Sequence, residues 1–288
     1  MSKPVESKGG LHPFFSSGLL LIASQVLSFY LAFRERELLE SSQITLPETS
    51  LGLPLAYFFG AVALVGLILF LLPLAAIRTV LKMVFLFLFV WGVFICLAFL
   101  LPVPWAVGVS VIAVALYRFK PRIWLHNLLM VVTLASVGAV FGVLFSPLTA
   151  ILFMLVISVY DIVAVRFGFM MWMVKRMAVS DTLPVFVIPR TVPGWKQDMK
   201  EVRLFEDRSE REFSVLGGGD VGFPLLLVVS VFFADGFARS LIVAGFALLG
   251  LAGAYLVHDK LLKGRPTPAL PPISILCIVG FAIARLIA

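Results

Sequence analysis

The sequence predicts an all-α, polytopic membrane protein with nine transmembrane helices. Hydrophobic residues make up 61% of the 288 residues, and charged residues make up only 14%. A soluble domain of this length could not bury so much apolar surface. The apolar residues also gather in long runs that short polar or proline-containing segments separate, and about 20 such residues cross a bilayer core as a helix.

Nine apolar runs follow one another along the chain. They are residues 14–33, 51–72, 83–101, 105–117, 125–145, 148–173, 220–237, 241–257 and 268–288. The first run is too long for a signal-peptide core, and Arg34, Glu35 and Arg36 follow it where a cleavage site would need small residues, so we expect it to remain as an anchor. The fourth run would be a helix of only about 20 Å, so it should be tilted little or be shielded by neighbours.

One long polar segment divides the chain into three parts. Residues 1–174 hold the first six predicted helices, residues 175–216 form a loop, and residues 217–288 hold the last three. The loop contains a β-prone stretch at 184–189.

The distribution of basic residues predicts the orientation in the cell membrane. With nine spans, most of the 23 lysines and arginines fall on the side of the N-terminus. Because basic loops stay in the cytoplasm, we expect a cytoplasmic N-terminus, a cytoplasmic loop at 175–216 and an external C-terminus. The formal charge of +7 then reflects these loops, and no nucleic-acid partner is expected.

Two aspartates in the predicted spans are the candidate catalytic residues. Asp161 lies inside the sixth run, and Asp220 begins the seventh. Carboxylates are costly in a membrane and usually functional there. Asp161 lies about 20 Å from the external start of its helix, and the next helix runs antiparallel, so both side chains fall in the same leaflet. Two carboxylates at close range should share one proton.

A pair that shares a proton is suited to aspartic proteolysis. One carboxylate acts as a general base on water, while the other, protonated, polarises the scissile carbonyl. Gly217, Gly218 and Gly219 precede Asp220. We expect them to keep the backbone open and non-helical beside a wet cavity, where it can bind an extended substrate.

A proline-rich segment begins the ninth run in the same leaflet. Pro268, Ala269 and Leu270 are followed by Pro271 and Pro272. The two prolines lack amide donors and leave earlier carbonyls without helical partners, and the small Ala269 allows close approach. The alternative is an ordinary proline at a helix start, but the shared leaflet favours a role in the site.

These residues together resemble the signature motifs of the presenilin and signal peptide peptidase family of intramembrane aspartyl proteases. The motifs are Tyr160-Asp161, the Gly-x-Gly-Asp at residues 217–220, and the Pro-Ala-Leu at residues 268–270. Their order and host helices are similar as well. The resemblance implies a nine-helix presenilin-type fold with Asp161 and Asp220 as the catalytic pair. It also implies that Tyr160, the glycines and the Pro-Ala-Leu segment support the active site and substrate.

The resemblance also predicts partners. The substrates would be transmembrane segments of membrane proteins or remnant signal peptides, cleaved within the lipid bilayer. We expect residues 183–188 of the loop to be able to pair with such a segment once it is unwound. The short N-terminal tail and loop resemble those of a compact microbial member of the family. We therefore expect no accessory subunits to be required, and self-association is left open.

Other functional classes remain as alternatives. Membrane carboxylates and broken helices also mark ion-coupled transporters, and a cation leak channel could use the same aspartates. Carriers usually have broken helices in corresponding halves, whereas both breaks here fall in the last three runs. Prepilin peptidases share a Gly-x-Gly-Asp motif but not the other two. No His-Glu-x-x-His or Gly-x-Ser-x-Gly occurs in the sequence, so metal-dependent and serine mechanisms lack support.

No metal or cofactor is expected. The three histidines, His12, His126 and His258, are scattered singly, and Cys96 and Cys277 lie in apolar runs. This distribution predicts neither a zinc site nor a disulfide.

A third membrane aspartate, Asp235, lies about 22 Å from Asp220 along the same predicted helix. Arg239 follows one turn later. We interpret Asp235 as half of an interfacial ion pair and not as a catalytic group.

Overall fold

The computed structural model describes residues 13–43, 56–57, 60–61, 64, 71–167, 184–202, 212–258 and 268–287. These residues include eight α-helices, which we number in chain order. They are α1 (Pro13–Ser41), α2 (Leu74–Ala98), α3 (Val103–Phe119), α4 (Ile123–Leu144), α5 (Pro147–Arg166), α6 (Gly218–Asp235), α7 (Phe237–Leu256) and α8 (Leu270–Leu286). They correspond to the first run and to the third through ninth runs. The second run, 51–72, lies largely outside the described residues, so the count of nine spans stays a prediction.

Five of the described helices are long and apolar enough to cross a membrane, namely α1, α2, α4, α6 and α7. Helices α3, α5 and α8 have shorter apolar segments, namely Val103–Phe119, Pro147–Val163 and Leu270–Leu286. The fourth run does form a helix, of 17 residues, and it extends beyond the predicted 105–117 at both ends. The sixth run ends as a helix at Arg166, and the predicted extension to residue 173 lies outside the described residues.

Helix ends follow local chemistry. Ser146 caps α5, since its side chain accepts a hydrogen bond from the Thr149 amide. Helices α6 and α7 are separated by Gly236 alone, whose φ of 91° lies in the left-handed region that favours glycine. The chain therefore reverses within one residue, where the sequence predicted a longer connection.

Helix α6 lies at the centre of the bundle and packs against α1, α4, α5, α7 and α8. Its residues from Pro224 to Phe232 are all buried. Two glycines of α4 allow α6 to approach closely: a Cβ on Gly142 would lie 2.5 Å from the Cβ of Val229, and one on Gly138 would lie 3.0 Å from the Cβ of Leu225. Small residues commonly permit such contacts between membrane helices. The helix that carries Asp220 is therefore held firmly against α4.

Helix α1 is part of the core and not a peripheral anchor. Its buried face includes serines and Gln25, and the Gln25 side chain donates to the Ala244 carbonyl of α7 at 3.0 Å. Ser28 donates to the Ala135 carbonyl of α4 at 3.0 Å. These bonds satisfy polar groups that would otherwise be costly in an apolar interior.

The polar loop contains a two-stranded antiparallel sheet. Strand β1 (Val185–Pro189) confirms the predicted β-prone stretch, and it pairs with β2 (Phe213–Gly217). Val185 is opposite Gly217, and Val187 is opposite Val215. Strand β2 was not predicted, so the all-α class is right for the spans but misses this sheet.

Candidate active site

Asp220 lies in the first turn of α6, directly after strand β2. Gly217 ends the strand and is also the N-cap of the helix. The Gly217 backbone amide donates a hydrogen bond to the Asp220 carboxylate. This is the arrangement in which an acidic residue at the third helical position binds the amide of the N-cap residue. Since no linker separates β2 from α6, the strand register sets the position of Asp220.

The three glycines before Asp220 have different surroundings. A Cβ on Gly217 would lie 2.8 Å from Oδ2 of Asp220, and one on Gly218 would lie 2.8 Å from the Pro184 carbonyl oxygen. A Cβ on Gly219 would make only ordinary contact, 3.4 Å from the Phe223 ring. The expectation of non-helical backbone is wrong for Gly218 and Gly219, which are helical. The Gly218 amide donates to the Pro184 carbonyl at 2.9 Å. This bond leads the chain from the sheet directly into the first turn of α6.

A proline in α6, which the sequence analysis did not single out, adds to the site. Pro224 lies within the helix and is buried. Proline has no amide hydrogen, so it cannot donate to the carbonyl four residues earlier, which belongs to Asp220. The backbone of Asp220 therefore keeps an acceptor without its usual helical partner.

Asp161 lies in the last part of α5 and is half-buried. Its carboxylate accepts a hydrogen bond from the Leu270 backbone amide. Leu270 is the first residue of α8, its side chain is 2% exposed, and the first amides of a helix have no partner within the helix. Pro271 and Pro272 have no amide hydrogen. Within the first three residues of α8, only Leu270 can therefore donate a backbone hydrogen bond.

The structure brings the two carboxylates together. Asp161 and Asp220 lie on packed helices and are close enough for their charges to interact. A buried hydrogen bond of 2.7 Å between the Ser158 and Ser274 hydroxyls joins α5 to α8. Ser158 precedes Asp161 by about one turn, and Ser274 follows Leu270 by about one turn. The two serines therefore set the register in which Leu270 meets Asp161.

Strand β1 has partners on both of its edges. One edge pairs with β2. On the other, the Asn127 side chain binds both the amide and the carbonyl of Val187, at 3.0 and 2.7 Å. His126 Nε2 lies 2.9 Å from the Val185 carbonyl oxygen. The prediction that residues 183–188 pair with substrate is therefore corrected for the strand, because its edges are occupied; Leu183 lies outside the described residues.

The remaining predicted site residues lie at the margin of this arrangement. Tyr160 is 52% exposed, so its ring does not pack in the core. Pro268 and Ala269 are half-buried, and Ala269 is the N-cap residue of α8. The Pro-Ala-Leu segment thus contributes to the site mainly through the amide of Leu270.

Asp235 lies at the opposite end of α6 from Asp220 and forms the predicted ion pair. Its carboxylate lies 3.7 Å from Arg239 Nη1. An unpredicted partner, Arg285 of α8, binds both of its oxygens at 3.1 Å. This confirms the interpretation of Asp235 as an ion-pair residue and separates it from the aspartate pair.

Elsewhere in the described ranges, no three His, Cys, Asp or Glu side chains converge as a metal site would need. Cys96 and Cys277 are free thiols, the second of them buried.

Known proteins similar to the chain have the same kind of fold. The family model described as signal-peptide peptidase, presenilin aspartyl protease matches residues 61–288. A solved structure of a presenilin family intramembrane aspartate protease in space group C222 matches with a TM-score of 0.66 and 22% identity, covering 96% of this chain and 100% of that one. A structure with the same description in space group P2 has a TM-score of 0.61 and 21% identity, with 94% and 96% covered. No curated protein matches the chain.

Proposed function

Because the chain belongs to the signal-peptide peptidase and presenilin family of aspartyl proteases, we propose that it cleaves peptide bonds within the membrane by means of Asp161 and Asp220. Its substrates are transmembrane segments of membrane proteins or remnant signal peptides. The observation that carries the proposal is that the two carboxylates, which come from the separate but packed helices α5 and α6, are near enough for their charges to interact.

The proposed mechanism uses the pair as one acid and one base. One carboxylate removes a proton from the attacking water while the other, protonated, donates a hydrogen bond to the scissile carbonyl oxygen. When the tetrahedral intermediate breaks down, the roles exchange and the leaving amine receives a proton. Two interacting carboxylates titrate as a unit, so neither residue has a fixed role.

Among the residues that the structure describes, a backbone donor orients each carboxylate. Gly217 donates to Asp220, and Leu270 donates to Asp161. A carboxylate has two oxygens with several acceptor sites. These donors occupy only part of that capacity, and the proposal assigns other acceptor sites to water and to the substrate.

The outer edge of β2 is the proposed place for the substrate backbone. In an antiparallel pair, residues alternate between those that bond to the partner strand and those whose amide and carbonyl face away. Val187 directs its groups to Asn127, so Val215, opposite it, directs its own groups away from β1. Val215 is 43% exposed. An extended substrate added along this edge would lie beside the strand end that leads into Asp220.

In the proposed orientation, the basic residues place the loop and the aspartate pair on the cytoplasmic side of the membrane. Water would then reach the site from the cytoplasm. Activity without accessory subunits is part of the same proposal. The transporter and leak-channel alternatives are not favoured, because the family to which the chain belongs consists of aspartyl proteases.

Cleavage of a model single-span substrate by the purified protein in detergent tests the proposal. Asp161→Asn and Asp220→Asn should each reduce kcat by about a thousandfold or more, because both members of an acid/base pair are needed. Asp235→Asn, at the far end of α6, is the matched control and should retain cleavage. The proposal would be wrong if the folded natural chain cut no substrate over a range of pH, or if either active-site variant cut normally.

A further inference from the structure

Two adjacent polar residues near the start of α4 are fully buried. His126 is 0% and Asn127 is 1% exposed. Burying an imidazole and an amide in an apolar bundle is unfavourable unless their polar atoms are hydrogen-bonded. Their partners are therefore informative, and both residues direct their hydrogen bonds to the backbone of strand β1.

The Asn127 side chain acts like a neighbouring strand. Its Nδ2 donates to the Val187 carbonyl at 2.7 Å, and its Oδ1 accepts from the Val187 amide at 3.0 Å. His126 Nε2 must be protonated to donate to the Val185 carbonyl at 2.9 Å, because a carbonyl oxygen only accepts. Nδ1 lies 3.0 Å from the Tyr117 hydroxyl, which orients the ring. The two residues hold alternate positions of β1.

The positions of Val185 and Val187 in β1 determine where Asp220 lies. Val185 is opposite Gly217, and Val187 is opposite Val215. A shift of one residue in the pairing would turn every side chain to the other face of the sheet. Since Gly217 is both the end of β2 and the N-cap that donates to Asp220, the register of β1 is transmitted to the carboxylate.

The loop after β1 is tied to the same part of the bundle. The Met199 amide donates to the Pro121 carbonyl, and the Ile123 amide donates to the Gln197 carbonyl at 3.1 Å. The axis of α6, by contrast, is fixed by the separate contacts of Gly138 and Gly142 with α6. Loss of the His126 and Asn127 bonds would thus loosen the alignment of the hairpin, meaning strands β1 and β2 with the loop between them, and of the first turn of α6. The loop bonds and the packing of α6 against α4 would remain.

We propose that His126 and Asn127 are positioning residues that hold Asp220 in register with Asp161 through the β-hairpin. This inference rests on the proposed protease function. These two residues, which form the anchor of the hairpin, control the alignment of the catalytic pair. Their loss therefore lowers the rate of the chemical step more than it weakens substrate binding.

The test compares Asn127→Ala with Ser136→Ala. Ser136 lies on the same helix, is fully buried, and donates to the Gly92 carbonyl at 2.8 Å, which belongs to α2 and not to the hairpin. For each purified variant, one measures the thermal midpoint, kcat, KM and the affinity for a peptide analogue with a hydroxyl in place of the scissile carbonyl. Asn127→Ala should lower kcat and analogue affinity about tenfold each, with KM changed less than about twofold. Ser136→Ala should shift only the midpoint.

A conservative change at His126 provides a second test. Gln has an amide that can donate to the Val185 carbonyl, whereas Phe fills the space without a donor. His126→Gln should therefore keep a kcat within about threefold of the natural chain, and His126→Phe should lose about tenfold. Equal losses in both, or a loss of kcat in Ser136→Ala that matches that of Asn127→Ala, would overturn the positioning role.

Hydrogen exchange separates failure of this inference from failure of the proposed function. Amides of β1 and β2 should exchange faster in Asn127→Ala than in Ser136→Ala, whether or not the protein cuts a given substrate. A folded natural chain that cuts nothing contradicts the protease proposal. Faster exchange of the hairpin with unchanged kcat and analogue affinity contradicts the positioning role, and unchanged exchange contradicts the anchor itself.

Discussion

The two aspartates of the candidate site are held by different kinds of structure. Asp220 begins α6, the central helix, and follows a strand whose neighbour is bonded to α4. Asp161 lies on α5, much of whose surface is exposed, and its backbone donor comes from another helix. Asp220 is therefore located by a discrete strand register, whereas the position of Asp161 depends on how α5 packs against α8.

Among substitutions that leave both aspartates in place, the largest effect is expected from Gly217→Ala, which disturbs the position of Asp220. Its Cβ would lie 2.8 Å from Oδ2 of Asp220, so the carboxylate would have to leave its place beside the Gly217 amide. A displacement of about 1 Å in a catalytic group can reduce the rate about a hundredfold. We expect that loss in kcat, measured with the model substrate.

Gly245→Ala on α7 is the control for that change. It is exposed, and a Cβ there would meet no atom within 4 Å. Normal cleavage by Gly217→Ala, or an equal loss in Gly245→Ala, would contradict the assigned geometry.

Removing the serine pair tests the Asp161 side and should have a moderate effect. Ser158→Ala or Ser274→Ala removes the 2.7 Å bond between α5 and α8, which should lower the free energy of unfolding by about 1 kcal/mol. Cleavage should fall about fivefold, since α5 is then less well aligned. The double variant should be little worse than either single variant, because both remove one interaction. Fully additive losses in thermal midpoint and kcat would show that the two hydroxyls act separately.

The smallest effect is expected from Arg285→Ala at the far end of α6. This change removes the two 3.1 Å contacts with Asp235 but leaves Arg239 as a partner. Exposed ion pairs contribute about 0–1 kcal/mol. The Arg285 side chain is 54% exposed but that of Asp235 is only 8% exposed, so the thermal midpoint should fall modestly, since Arg239 still neutralises the carboxylate. Cleavage should be unchanged. A large loss of kcat would mean that this end of α6 is coupled to the aspartate pair.

The membrane spans and the motif residues were predictable because their signals are local. Runs of apolar residues mark helices, and an aspartate within such a run stands out whatever its partners. The ion pair of Asp235 with Arg239 was predicted for the same reason, since four residues separate them. Arg285 was missed because 50 residues separate it from Asp235.

The hairpin and its anchor could not be predicted in the same way. Strand β2 is five residues long and follows a charged segment, so its alternation is too short to distinguish from a loop. Asn127 is 60 residues from Val187, and one sequence does not reveal such pairs. The available signal was the occurrence of two adjacent polar residues, His126 and Asn127, near the start of an apolar run. Tyr160 was grouped with the site by its motif, although it faces outward.

The long-range bonds of α1 have a consequence for biosynthesis. Its Gln25 and Ser17 bind Ala244 and Tyr255 of α7, 219 and 238 residues later in the chain. A ribosome makes α1 well before α7, so the polar face of α1 has to await its partners while the intervening helices are inserted. Contacts of such sequence separation form late in folding. Helix α1 is thus made long before its polar face is satisfied, and its final packing depends on α7 having entered the membrane.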